Sequence, residues 1–280
     1  MMNIPWRLKS TIFRLIDFFN APSALYFLQK YVTGRSNLVS LQLSPAWEVH
    51  KEYLIKYGSN TNIFEFGAGK SLAQNLFLSD VVTKQVVADL NPMIDFRLVD
   101  KARNQISKMV DLKSHCEIRS HDELSLYGIE YRAPYDASKT DFADKSLSAC
   151  ISTNTLEHIP KNSIVSIFSE LSRTLKDDGI VSAKIDYSDH YAHTDKSLSL
   201  LNYLRFDEGA WKKYNHKCHY QNRLRHYDYI EIFERCGFVV IEEKLTYAEN
   251  NIPDEIVKAF RGKDATWSCT SAHIVLKKSC

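Results

Sequence analysis

Glycine and proline are scarce in these 280 residues, nine and seven in all. That excludes a collagen-like or linker-rich chain. The six cysteines (Cys116, Cys150, Cys218, Cys236, Cys269 and Cys280) form no CxxC and keep no regular spacing. Reduced thiols in a cytosolic chain, without structural zinc, are the expectation. Net charge is nearly absent too: 36 Lys and Arg against 34 Asp and Glu leave +2. A surface that neutralises many phosphates needs a larger basic excess, so nucleic acid is not an expected partner. No run of about 18 apolar residues occurs, so no membrane span is predicted.

What is present is ordinary globular material, 44% hydrophobic and 12% aromatic, enough for a sizeable core. The stretch from Ile12 to Val32 is rich in Phe, Leu, Ile and Tyr but is broken by Arg14, Asp17, Asn20, Pro22, Gln29 and Lys30. It lacks the clean apolar region and small-residue site of a signal peptide. Trp6, Arg7, Lys9 and Arg14 beside Phe13, Phe18 and Phe19 suit an amphipathic helix. Such a helix packs on its own domain or touches a membrane surface. A cytoplasmic chain, with peripheral contact at the inner face of the membrane as an option, is the resulting expectation.

Residues 1–59 read as an N-terminal helical segment and 60–280 as the main domain. Ser44-Pro45 makes an N-cap and first-turn pair, and Gly58 stops that helix. Strands are expected at Asn62–Phe66, Gln85–Ala88, Ile129–Arg132, Ser146–Ser152, Ile180–Ile185, Phe238–Ile241 and His273–Leu276. Helices are expected at about Ser71–Leu78, Pro160–Lys176 and Tyr229–Cys236, the second stopped by Asp177-Asp178-Gly179. Residues 187–225 form a long polar and aromatic insertion. Alternating strands and helices predict an α/β, doubly wound, mostly parallel sheet covered on both faces. Ligands of such sheets sit beyond the carboxyl ends of the strands.

The turn after the first strand, Gly67-Ala68-Gly69-Lys70-Ser71, contains a GKS string. A phosphate-binding loop would need glycine where Phe64 stands. A dinucleotide fingerprint would need glycine where Leu72 stands, which disfavours a nicotinamide oxidoreductase. A third pattern fits: acid, any residue, Gly, any residue, Gly, with an acid ending the next strand. Glu65 and Asp89 supply the acids, 24 residues apart. The glycines let backbone approach a bulky ligand. Glu65 could accept from a ligand ammonium and Asp89 from ribose hydroxyls.

This segment resembles the class I S-adenosylmethionine-dependent methyltransferases. Glu65-Phe66-Gly67-Ala68-Gly69 matches their first motif, Asp89 their ribose-binding acid, and Asp136 in Tyr135-Asp136-Ala137 their adenine-contacting acid. Asp141 to Leu147, Leu156-Glu157-His158-Ile159 and Leu171 to Gly179 resemble the motifs around the fourth strand and the helix after it. The resemblance implies a seven-stranded Rossmann-like fold with S-adenosylmethionine as cofactor. The residues it implies at the cofactor are Glu65, Gly67, Ala68, Gly69, Asp89, Asp136, Ala137 and Asn154. It departs at Asp178, where the family usually has a second glycine.

The acceptor must be read elsewhere. Methylating a hydroxyl requires removing its proton, and His is the natural base near neutral pH. His158 follows the fourth strand. Glu157-His158 resembles the end of an ExxEH metal-ligand motif of some family members, but Asn154 replaces its first acid. A divalent metal is therefore an option and no metal ligand is assigned. Asp186-Tyr187-Ser188-Asp189-His190-Tyr191-Ala192-His193 places two acids and two imidazoles within eight residues. Residues 211–226 carry five Lys or Arg, three His and no acid, which suits an anionic or sugar-like acceptor. The insertion also resembles a bacterial methyltransferase subgroup associated with surface polysaccharide synthesis. The expectation is O-methylation of a sugar hydroxyl, with His190 or His193 as base and Asp186 or Asp189 orienting it. His219, Arg223 and Arg225 are expected on the acceptor. The competing readings are a lipid, quinone-like or other small-molecule acceptor, and a non-catalytic S-adenosylmethionine-binding subunit.

Overall fold

Short apolar runs can be buried on both faces only in the middle of a layered sheet, and the first strand shows this residue by residue. In a computed structural model, which describes residues 4–20, 44–248, 252–261 and 264–279, β1 spans Asn62–Phe66. Its Phe64 and Phe66 join the core on one side, and its Ile63 joins the core on the other. Successive side chains of a strand point to opposite faces.

The sheet has seven strands in the order β3-β2-β1-β4-β5-β7-β6. The others are β2 (Lys84–Ala88), β3 (Ile129–Arg132), β4 (Leu147–Thr153), β5 (Leu175–Asp186), β6 (Phe238–Tyr247) and β7 (Cys269–Lys278). β1 to β5 pair in parallel, while β7 runs antiparallel between β5 and β6. This is the expected mostly parallel, Rossmann-like sheet.

Helix α1 spans Trp6–Phe18, α2 Pro45–Lys56, α3 Ala73–Leu78 and α4 Phe96–Ile106. A short α5 covers His121–Ser125, followed by α6 (Lys161–Thr174), α7 (Glu208–Trp211) and α8 (His226–Arg235). One face of the sheet is covered by α6 and α8, through Ile164, Phe168, Leu171, Tyr229 and Phe233. The other is covered by α2, α3 and α4, through Leu54, Leu76 and Val99. Ser44 and Pro45 stand at the N-cap and first-turn positions of α2, though the Ser44 side chain makes no capping hydrogen bond.

Several boundaries shift, the last three strands being longer than expected, and at one boundary the type of element changes. The run to Lys176 was expected to be helical, but α6 ends at Thr174 and β5 begins at Leu175, opposite Leu147. The register then shifts, and Ala149 pairs with Ile180. Leu175 lies four residues after Leu171, so helical spacing and strand pairing both bury it. Sequence period cannot separate the two.

The insertion after β5 is a cap with its own core. Phe13 and Ile16 of α1 pack there against Tyr191, Leu201, Tyr203, Leu204 and Trp211. Asp195 accepts from the Trp6 amide at 2.9 Å, and Asp17 accepts from the amides of Lys217 and Cys218 at 2.6 and 3.1 Å. The inner face of α1 is thus a wall of the cap. Its outer face leaves Phe18 79% exposed and Phe19 70% exposed. Residues 21–43, which complete the N-terminal apolar stretch, lie outside the described residues. Among the described residues no helix is long and apolar enough to cross a membrane.

Candidate functional site

The glycine loop leaves β1 with two residues in the left-handed region, Gly67 at φ +77° and Gly69 at +76°. A Cβ on Gly67 would stand 2.4 Å from Thr155 Cγ2, whereas one on Gly69 would meet nothing within 4 Å. The loop is therefore pressed against the end of β4 at one glycine and open at the other. Asp89, just past β2, accepts from the Gly69 amide at 3.2 Å and from Tyr131 Oη at 2.9 Å. Burial pushes its pKa up, and these two bonds oppose the shift.

Glu65 does not stand open to a ligand ammonium. It is buried, and its carboxylate accepts from the side-chain amides of Gln74 and Asn75 on α3. Burial raises its pKa to about 7 against the pull of those amides. Its observed contacts brace the loop against α3. Asp136 is exposed and accepts from the Ser138 amide and hydroxyl, and Ala137 beside it is buried. Asn154 sits at φ +50° with its amide donating to Lys184 O at 2.8 Å. Ala68 is half-buried within the loop. The cofactor-site candidates thus lie at or just past the carboxyl ends of neighbouring strands, with Asp89 bonded to Gly69. A nucleoside with an amino-acid tail fits such a cradle, because backbone without side chains lies flat against it.

Beside this cradle stands a cluster of imidazoles and carboxylates. His193 Nε2 lies 3.5 Å from Asp186 Oδ2 and 2.9 Å from Ser188 Oγ. His190 Nε2 lies 3.5 Å from the same Asp186 oxygen. The ring centroids of His158 and His190, and of His190 and His193, are each 4.9 Å apart. Burial alone would raise Asp186, but His190 and Ser188 outweigh it and hold its pKa near 2. Glu157 is buried, and its carboxyl is pushed well above the usual range, first by burial and then by Asp186. Ligand-capable atoms of Glu157, His158 and His190, and of Asp186, His190 and His193, lie within 4.8 Å of one another in each set.

Three expected roles fail on packing. Asp189 is fully buried and accepts from the Tyr191 amide and Asn202 Nδ2, which ties it to the cap's own chain. Asp186 is the carboxylate at the histidines. Arg225 is fully buried and donates to the carbonyls of Tyr187, Trp267 and Cys269 and to Tyr203 Oη. Arg223 donates to the carbonyls of Tyr203 and Phe206 and pairs with Glu208. Neither guanidinium is offered to an acceptor. His219 does lie beside the cluster, 6.1 Å from His190, but it stacks on Tyr191. Burial, then Lys9, drives its pKa to about 2. It offers a neutral ring to whatever binds beside it.

Lys9 was missed. From α1 its ammonium reaches the His190 carbonyl at 3.2 Å, across 181 residues of chain. No local pattern marks such a contact. Surface hollows lined by Thr83, His121 and Glu130, and by His226, Glu231 and Asp264, contain none of the clustered residues. A further hollow lined by Lys70, Met93 and Asp95 adjoins the glycine loop.

Residues 65–183 match the family described as a methyltransferase domain. No curated protein sequence matches the chain. Among solved structures it is similar to the Burkholderia thailandensis 1,6-didemethyltoxoflavin-N1-methyltransferase, determined with 1,6-didemethyltoxoflavin and S-adenosylhomocysteine bound. Identity is 10%, over 94% of this chain and 89% of that one, with a TM-score of 0.53. A Methanosarcina mazei S-adenosylmethionine-dependent methyltransferase is 14% identical over 85% and 99% of the two chains, with a TM-score of 0.47. A Leishmania major S-adenosylmethionine-dependent methyltransferase is 10% identical over 82% and 71%, with a TM-score of 0.48. The first likeness shows a shared fold, and the family match agrees with S-adenosylmethionine as the cofactor. Residues 65–183 thus match a methyltransferase-domain family and lie within a seven-stranded Rossmann-like sheet.

Proposed function

We propose that the chain is an S-adenosylmethionine-dependent O-methyltransferase that acts on a sugar hydroxyl of a glycan or glycan precursor. The observation that carries this reading is the Asp186–His193 pair at the end of β5, with the His193 side chain 40% exposed. A hydroxyl needs a base, whereas a thiolate or free amine needs none. Arg223 and Arg225 are committed to the cap's own carbonyls, which favours a polar, uncharged acceptor over an anionic one.

Gly67, Ala68 and Gly69 would hold the cofactor against bare backbone, with Asp89 at its ribose and Asp136 and Ala137 beside its base. When bound, S-adenosylmethionine supplies an electrophilic methyl group. The protein's part is to align the acceptor and move one proton. His193 Nε2–H donates to Ser188 Oγ, whose own hydrogen goes to Asp186, and this tautomer puts the ring's basic lone pair on Nδ1. That nitrogen takes the hydroxyl proton, and ionised Asp186 stabilises the imidazolium that results. The free thiols of the described cysteines accord with a reducing cytoplasm.

A second reading, a lipid or quinone-like acceptor, is favoured by exposed Phe18 and Phe19 on the helix that walls the cap. One experiment separates them: transfer of labelled methyl into fractionated glycans, lipids and metabolites. Label in the glycan fraction is expected, and label confined to lipid overturns the sugar assignment. His193→Ala should lower turnover by at least about a hundredfold, the low end for a general base. Its S-adenosylmethionine affinity should be unchanged by calorimetry. Turnover within tenfold of the parent in both His193→Ala and His190→Ala refutes a histidine base.

A further inference from the structure

We infer that Glu157, His158 and His190 form a binding site for a divalent first-row transition-metal ion, at the junction of the sheet and the cap. Two orphaned groups point to it. Glu157 is 2% exposed, and neither of its carboxylate oxygens has a hydrogen-bond partner. His190 Nε2 is also buried without a hydrogen bond, its nearest acceptor being the Asp186 carboxylate 3.5 Å away. Burying a carboxylate with no partner costs several kcal/mol, and a bound cation removes that cost. Lys184, the cation nearby on β5, is hydrogen-bonded to Ser271 Oγ at 2.8 Å.

The third group is already oriented. His158 Nδ1 lies 2.8 Å from the Tyr220 carbonyl, an acceptor only, so Nδ1 carries the proton and Nε2 presents its lone pair. A carbonyl behind the ring is the usual way in which a metal-binding histidine is held. One ligand atom from each of the three residues lies within 4.8 Å of the other two. Ligands about 2.1 Å from an ion lie roughly 3–4 Å apart, so a small closure completes the set.

The donor chemistry selects the ion class. Two imidazoles and one carboxylate suit Zn2+, Fe2+ or Co2+, whereas Mg2+ and Ca2+ take oxygen ligands. Three protein ligands leave positions open, as in catalytic rather than structural sites. Asp186 Oδ2 faces the same His190 nitrogen, Nε2, at 3.5 Å, so it can join the set as a further oxygen ligand. An ion here would lie beside the Asp186–His193 pair, where it would polarise a nearby oxygen. The site stands on its own side chains and does not depend on the acceptor.

The test uses the full chain stripped with a chelator and titrated with Co2+. One equivalent should bind with the visible absorption of nitrogen-ligated Co2+, and Zn2+ should displace it. Glu157→Gln and His190→Gln should each weaken Co2+ binding at least tenfold. Zn2+ should raise the melting temperature of the parent and of neither variant. S-adenosylmethionine affinity, measured on the same samples, should not change, so loss of the metal site is told apart from loss of the fold or of the cofactor reading. No absorption at protein excess, binding retained in both variants, or saturation by Mg2+ alone would each overturn the assignment.

Discussion

Gly67 and Thr155 touch so closely that no side chain fits between them: a Cβ on Gly67 would meet Thr155 Cγ2 at 2.4 Å and Oγ1 at 2.5 Å. Thr155 is itself held by its hydroxyl, which donates to Thr153 O at 3.1 Å. Gly67→Ala should therefore destabilise the fold by roughly 2–4 kcal/mol, from left-handed strain and overpacking together. Adding Thr155→Ala should recover the overpacking share and leave the strain. Urea unfolding of the two single variants and the double variant measures this, and strict additivity would refute it.

Gly69 makes the contrasting case. It shares the positive φ, but its Cβ position opens on empty space. Gly69→Ala should cost only the conformational strain, about 1–2 kcal/mol, yet weaken S-adenosylmethionine binding at least tenfold by filling the cradle. Calorimetry beside a melting curve separates the two effects. Unchanged affinity would place the cofactor elsewhere.

Arg225 should behave as a structural residue. Its guanidinium ties α8 to three carbonyls and one hydroxyl from other segments. Arg225→Ala leaves those buried acceptors unpaired and should cost at least about 3 kcal/mol. An acceptor-binding role would instead raise KM with stability intact.

A buried polar chain sets the acid response. His50 Nδ1 and His273 Nε2 each lie 2.8 Å from Ser182 Oγ. His50 Nε2 continues to Thr153 Oγ1 at 2.9 Å. Burial holds His50 well below its ordinary value, and burial with Lys184 and Lys244 brings His273 to about 3. The unfolded chain binds these protons first, so the stability that the neutral rings contribute is complete above about pH 6.5. For His273 it is lost as pH falls toward 3, at roughly 1.4 kcal/mol per pH unit, and His50 acts in the same direction. Glu65, raised to about 7, runs the other way between pH 7 and about 4.5. The difference between parent and His273→Gln isolates one ring. The variant should lose about 1.4 kcal/mol per pH unit of acid sensitivity between pH 6.5 and 5, read from urea midpoints. Parallel pH profiles would refute it.

Much of the fold was legible because strands and glycine turns are local. The expected β1 and β3 coincide with the observed ones, and each other expected strand overlaps an observed one, with β5, β6 and β7 longer than expected. Hydrophobic runs and the turn that ends them are short-range properties of sequence. The helix end at Thr174 was not legible, since Leu175 satisfies two periods at once.

By itself the sequence determined the layered sheet, the glycine turn at its centre, and the strand ends around which Glu65, Asp89, Asp136 and His158 gather. Only the tertiary structure decided what each long polar side chain does. It took Arg223, Arg225 and Asp189 into the cap's interior and brought Lys9 to His190. It also left Glu157 buried without a partner. The physical reason is that a polar group in a low-dielectric interior must find its partner, and that partner is supplied by segments distant in the chain.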